Sequence, residues 1–250
     1  NRLMKELPCV RLCELSSDDL ATWRNTRLKT VSGPTVKREM NLLNQVFNVA
    51  LREWGWLNTN PMTKIKKPED SRPRRRGIPA AVIPDILSAL SYQPEREVML
   101  KKQEVAVAFL FAIETAMRLG EILALRKRDV DILNKVVTVA DSKNKDTRKV
   151  PLSTMAIKLL RVLPLLYSGK QNTRIFTVQA GSASSIFRKA KNGIDGCDDL
   201  HFHDSRSEGL TRLSRKFSVI ELARVVGHRS PASLMIYYAP SIEDLANKLD

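Results

Sequence analysis

The sequence predicts a mainly α-helical α+β chain in two lobes with one small antiparallel β-sheet, and three observations carry that prediction. Most segments space their apolar residues at helical period. One stretch, Val136 to Ala140, alternates as a strand and returns through a polar SKNKDTRK turn to Val150-Pro151-Leu152, a β-hairpin with a lysine-rich tip. Between the helical parts runs KIKKPEDSRPRRRGIP (64–79), with seven basic residues, three prolines and no apolar period. Proline and dense like charge both oppose a packed element, so this run marks a boundary. The expected organisation is a helical domain over 1–67, a basic linker over 68–79 and a larger domain over 80–250 with a short tail at 241–250. At 250 residues such a chain buries a substantial core.

Each element has its local reason. Residues 16 to about 57 read as helical, with Ser17 as the cap and Asp18 and Asp19 in the first turn, where the helix dipole favours carboxylates. From Thr35 to Trp54 an apolar stripe runs through Val36, Met40, Leu43, Val46, Phe47 and Ala50, a core face. The other face presents Lys37, Arg38, Asn41, Asn44 and Asn48, a surface suited to phosphates. Beyond the linker, helices are expected over 80–90, 102–116, 121–125, 154–166, 182–192, 203–216 and 218–226. The tail opens with Ser241 and aligns Ile242, Leu245 and Leu249 on one face. A helix that short is marginal alone, so its apolar face is expected to dock, in cis or on a neighbouring protomer.

The charge is the strongest global signal: 42 Lys and Arg against 27 Asp and Glu give +15, which favours a polyanion such as nucleic acid over other partners. Arg74, Arg75 and Arg76 in the linker are candidates for tracking a phosphate backbone. Cys9, Cys13 and Cys197 lack CxxC spacing, which disfavours zinc and a disulfide framework. No apolar run suits a signal peptide or a membrane span, so a cytoplasmic chain is expected. Because it starts at Asn1 without an initiator Met, a fragment or processed form is expected.

Reactive residues concentrate in the last quarter. His203 and Arg206 lie three apart in HFHDSRSE, Gly227 and His228 follow in VVGHRS, and Tyr237 comes nine residues after His228; far upstream, Arg118 stands in ETAMRLGEILALR. Two arginines can clamp one phosphate through bidentate hydrogen bonds, and a tyrosine hydroxyl can serve as nucleophile while keeping the bond energy for rejoining. Taken singly, each has a plainer use: Arg118 as the ion-pair partner of Glu121, His203 as a core histidine, Tyr237 as packing. Their joint order is what singles them out.

That order resembles the tyrosine recombinases, the phage-integrase family. TAMRLGEILALRKRDVD is similar to the family's first box, LHFHDSRSEGLTRL to the second and VVGHRSPASLMIYYAP to the third, with phage integrases and shufflon-type invertases nearest in look. The resemblance implies a two-lobed clamp on duplex DNA and Arg118 with Arg206 as phosphate clamp. It also implies His203 as general acid/base, His228 as hydrogen-bond donor to the scissile phosphate and Tyr237 as nucleophile. The leaving 5′-oxygen would be protonated by Lys143, with Lys145 as the alternative. Tyr238 competes with Tyr237, and the family's nine-residue spacing selects Tyr237. Glu121 would support the first box. Ser205 and Ser207 depart from the second box, where leucine and histidine are commoner. The implied partners are double-stranded recombination sites, a homotetramer on DNA and accessory DNA-bending proteins, with no metal, cofactor or membrane. A non-catalytic DNA-binding protein, or a type IB topoisomerase or telomere resolvase, shares these residues.

Overall fold

The computed structural model describes residues 6–7, 11–69, 76–140, 147–168, 170–228 and 230–238. Contacts divide the chain into two compact units, Asn1–Arg74 and Arg75–Asp250.

In the first unit the segment expected as one helical stretch is two helices, α1 (Ser17–Leu28) and α2 (Gly33–Arg52). Pro34 explains the restart, since its fixed φ and missing N–H suit a first turn and oppose a helix interior. The cap of α1 is Ser16 rather than Ser17. Ser16 Oγ accepts the Asp19 N–H at 3.1 Å while the Asp19 carboxylate accepts the Ser16 N–H at 3.0 Å, and Ser17 instead donates its hydroxyl to the Pro61 carbonyl at 2.8 Å. Leu20 and Trp23 of α1 pack with Val36, Met40, Leu43 and Phe47 of α2 and with Met62 and Ile65. Val46 is outside this core at 43% exposure, because it stands about 100° around the helix from Phe47 and leaves the seam. Two asparagines of the expected phosphate-facing surface have a partner in this unit. Asn44 and Asn48 accept both N–H groups of the buried Asn60 at 2.9 and 2.8 Å, which ties α2 to the turn at Pro61–Lys64.

The second unit is mostly helical around α4 (Lys101–Thr115), whose Val105 to Ile113 are buried on nearly every side. Before it comes α3 (Ile83–Ala89); after it come α5 (Leu119–Ala124), α6 (Thr154–Arg161), α7 (Ala180–Lys191), α8 (His203–Ser214) and α9 (Val219–Val226). The helix expected to reach 166 stops at Arg161, and Pro164 opens a separate 3-10 turn. The sheet is antiparallel in order β1 (Val130–Asp131), β2 (Val136–Ala140), β3 (Thr147–Pro151), and β1 is too short to show in the sequence pattern. In β3, Arg148 and Val150 share one face, opposite Val139 and Val137 of β2. No helix among the described residues is long and apolar enough to cross a membrane. The expected tail helix at 241–250 lies outside the described residues.

One glycine sets how closely α8 approaches α4. A Cβ on Gly209 would stand 2.6 Å from the Ala112 carbonyl oxygen and 2.8 Å from that of Ile113. Both obstacles are backbone and cannot swing aside. Gly209→Ala is therefore expected to destabilise the second unit by about 1–3 kcal/mol, read as a lowered urea midpoint at unchanged m-value.

Candidate active site

Four elements deliver the site. Arg118 is the residue before α5, reached through Ala116, which holds the left-handed conformation (φ 52°) at the end of α4. A left-handed non-glycine residue is uncommon, and here it ends α4 while its carbonyl accepts a hydrogen bond from Arg206 Nη1. Arg206 lies one turn into α8, 3% exposed, so the close packing at Gly209 also brings this guanidinium to the end of α4. Asp204 fixes the start of α8 by accepting the His201 N–H at 2.7 Å. The third contributor is the turn after α9, where Gly227 takes the left-handed conformation (φ 69°) and His228 follows. The fourth is β3, through Arg148.

These groups form one network. Arg118 donates from Nη1 to Glu121 Oε1 at 2.9 Å and from its backbone to Oε2 at 3.0 Å. Arg148 Nη2 donates to the same Oε2 at 2.6 Å, and its Nε donates to the Val225 carbonyl at 3.1 Å. Arg206 Nη2 is 3.0 Å from His228 Nε2. Arginine can only donate, so Nε2 accepts and the neutral imidazole carries its proton on Nδ1, 2.7 Å from Ser233 Oγ, which in turn donates to the Ser230 carbonyl at 2.7 Å. As a neutral ring in this tautomer His228 has no proton facing Arg206, so the expected donation to a phosphate there requires the imidazolium.

The electrostatics follow from burial and crowding of like charge. Burial, then Arg118 and Arg148, pull the Arg206 guanidinium down to about 10, partly opposed by Glu121 and Tyr237. Burial also holds His228 below the usual imidazole range, helped by Arg206, Arg118 and Arg148 and opposed by Glu121. His203 is lowered for the same first reason, then by Arg206 and Arg118, with Asp204 acting the other way. Burial alone would raise Glu121, but its bonds to Arg148 and Arg118 outweigh it and keep the carboxylate ionised. Arg118, Arg148 and Arg206 thus face a single carboxylate, an excess of positive charge suited to a phosphate.

Tyr237 belongs to this region. Its ring packs on the cluster of Ala116, Leu210, Leu222, Ala223, Val226 and Leu234, its carbonyl accepts the Ser214 hydroxyl at 2.8 Å, and its phenol lies near enough to act on Arg206. Lys143, Lys145, Arg74 and Arg75 lie outside the described residues. Arg76 pairs its guanidinium with Asp199 and donates to the Gly196 carbonyl, fastening the chain to the loop before α8. On α2, Lys37 is half-buried and Arg38 exposed. Ser205, where a larger residue is usual, is fully buried with its hydroxyl bonded to the Phe202 carbonyl. Among the described residues no group of three or more His, Cys, Asp or Glu side chains is placed to hold a metal ion.

Sequence reasoning missed Arg148 and Ser233. Arg148 had a signal: the alternation that buries Val150 puts Arg148 on the same, core-directed face of β3, where a charge requires a partner.

The sequence profile of the Phage integrase family matches residues 78–243, which hold Arg118, His203, Arg206, His228 and Tyr237. The chain belongs to the phage integrase family. A shufflon-specific DNA recombinase of Escherichia coli is 35% identical to this integrase-family chain over 247 residues, covering 95% of the chain and 61% of the relative. A tyrosine recombinase of Thermosipho africanus is 29% identical over 213 residues, covering 81% of the chain and 70% of the relative. Among solved structures, a lambda integrase tetramer bound to a Holliday junction superposes with a TM-score of 0.70 at 18% identity, covering 96% of the chain and 70% of that protein. The integrase-family chain has the fold of that enzyme and falls, with these relatives, in the tyrosine-recombinase class.

Proposed function

We propose that this chain cleaves and rejoins duplex DNA at specific sites through a 3′-phosphotyrosyl intermediate. The observation that carries the reading is the convergence of Arg118, Arg206 and His228 on one positively charged locus beside Tyr237. In the first step the Tyr237 oxygen attacks phosphorus, the bond to the 5′-oxygen breaks, and the protein is joined to the 3′-phosphate. His203 takes the phenol proton and Lys143 gives one to the leaving 5′-oxygen. The free 5′-hydroxyl of a partner duplex then reverses the chemistry on the new strand. Arg118 and Arg206 hold the non-bridging oxygens, and fixed charge of this kind is usually the largest catalytic contribution. Negative charge arriving next to His228 favours its imidazolium, the form able to donate from Nε2.

In the same proposal residues 1–67 contact DNA and residues 68–79 link them to the catalytic domain over 80–250, as the family resemblance implies. A tetramer assembled on paired sites is implied by the family resemblance, and the lambda integrase solved as a tetramer bound to a Holliday junction supports it. Accessory DNA-bending proteins, exchange of the 241–250 tail between protomers, and action at the nucleoid belong to the same proposal. Integration, excision or inversion would then be set by the arrangement of the target sites.

The test is incubation with suicide duplexes drawn from repeats flanking the gene. A gel-stable covalent protein–DNA adduct is expected. Binding without an adduct would favour a non-catalytic DNA-binding protein, and relaxation of supercoiled DNA with no partner site would favour a topoisomerase-like activity. Adduct formation is further expected to proceed at an unchanged rate in EDTA, because Arg118, Arg206 and Lys143 bring the charge a divalent ion would otherwise supply. Loss of cleavage in chelator with recovery on adding magnesium would overturn this mechanism.

A further inference from the structure

Arg148 bridges three separate parts of the site. Its guanidinium reaches Glu121, which also holds Arg118 from side chain and backbone. Its Nε caps the Val225 carbonyl in the last turn of α9. Its side chain also lies directly on Gly227: a Cβ there would stand 3.0 Å from Arg148 Cδ and 3.1 Å from both Nε and Nη1. Gly227 is thus required twice over, by its left-handed backbone and by this approach. The turn that aims His228 at Arg206 rests on the Arg148 side chain.

From this geometry we infer that Arg148 is a positioning residue for DNA cleavage, one that locks the Glu121–Arg118 pair to the Gly227–His228 turn; the inference rests on the recombinase reading above. Direct engagement of the phosphate is disfavoured by what already occupies the group. Nη2 is taken by Glu121, Nε by Val225, Nη1 abuts Gly227, and the side chain is 15% exposed against 47% for Arg118. A lysine could meet Glu121 at one point but has no planar fork to span Glu121 and Val225 together.

The test is a double-mutant cycle on adduct formation with Arg148→Gln, Glu121→Gln and the combined variant. Arg148→Gln should slow cleavage roughly 100-fold, as expected for loss of an oriented charge. The double variant should be no slower than the worse single variant by more than about threefold, because residues acting as one unit are strongly non-additive. Arg148→Lys should recover part of the rate. DNA affinity and its dependence on salt should be unchanged in Arg148→Gln, whereas loss of a phosphate ligand would lower the log–log slope by roughly 0.9. Rates that multiply in the double variant, a reduced salt slope, or wild-type cleavage by Arg148→Gln would each overturn the inference.

A second readout needs no cleavage and separates failure of the inference from failure of the recombinase reading. The His228 imidazole is faced by Arg206 from α8, Arg118 and Glu121 from α5 and its cap, and Arg148 from β3. Its NMR titration in the DNA-free chain should move upward in Arg148→Gln, since one of the cations that disfavour its protonated form is gone. An unmoved titration would show that Arg148 does not govern the His228 environment, whether or not the wild-type chain forms an adduct. Circular dichroism melting of each variant checks that the fold is retained.

Discussion

Tyr237→Phe is expected to bind duplex DNA with the affinity of the parent chain and to form no covalent adduct, a loss on the order of 10⁴-fold or more. The substitution removes one oxygen from a ring whose packing partners, Ala116, Leu210 and Val226 among them, are apolar. The backbone bonds that place the residue, from Ser214 to its carbonyl and from its own N–H to Leu234, do not involve the hydroxyl. Folding and the charged surface for DNA therefore stay as they are, and only the nucleophile goes. Tyr238→Phe should retain adduct formation within a few fold. If Tyr238→Phe lost the adduct and Tyr237→Phe kept it, the nucleophile would be the second tyrosine of the pair. Mass spectrometry of the nuclease-trimmed adduct decides the point directly.

Arg206→Lys should slow adduct formation by roughly 10²–10³-fold, the range expected when one preorganised donor to a developing oxyanion is lost. The lysine keeps the positive charge but not the fork. One ammonium cannot hold the Ala116 carbonyl, the Val226 carbonyl and His228 Nε2 as Arg206 does. Arg206→Ala should be worse in two ways. It removes the charge and also strands the buried Ala116 carbonyl, at a stability cost of about 1–3 kcal/mol. Comparing the two by urea unfolding and by single-turnover cleavage separates these effects. Wild-type cleavage by Arg206→Lys would mean that charge alone suffices at this position.

Much of the site was legible in the chain because its chemistry is written in residue types that have few other reasons to occur in that order. A phosphate clamp needs arginine, and a covalent intermediate needs a nucleophile such as Tyr237. A tight turn with positive φ needs glycine, so Gly227 marks the place where His228 can turn inward. The core stripe from Val36 to Ala50 was legible for the same kind of reason, a helical period. Element ends were less so. The cap moved from Ser17 to Ser16 because both hydroxyls are competent, and only the position of Asp19 and the nearby Pro61 carbonyl chooses between them.

What the sequence determined by itself is the mainly helical fold with its hairpin, the family, and the candidate set of Arg118, His203, Arg206, His228 and Tyr237, each through local pattern or order along the chain. What only the tertiary structure decided is how those groups are held. Asn44 and Asn48 hold Asn60, Arg76 pairs with Asp199, and Arg148 joins Glu121 to the turn before His228. The physical reason is common to all three. A polar side chain that folding partly buries must find a partner, and that partner stands 12 or more residues away along the chain, where no local period or spacing can point to it.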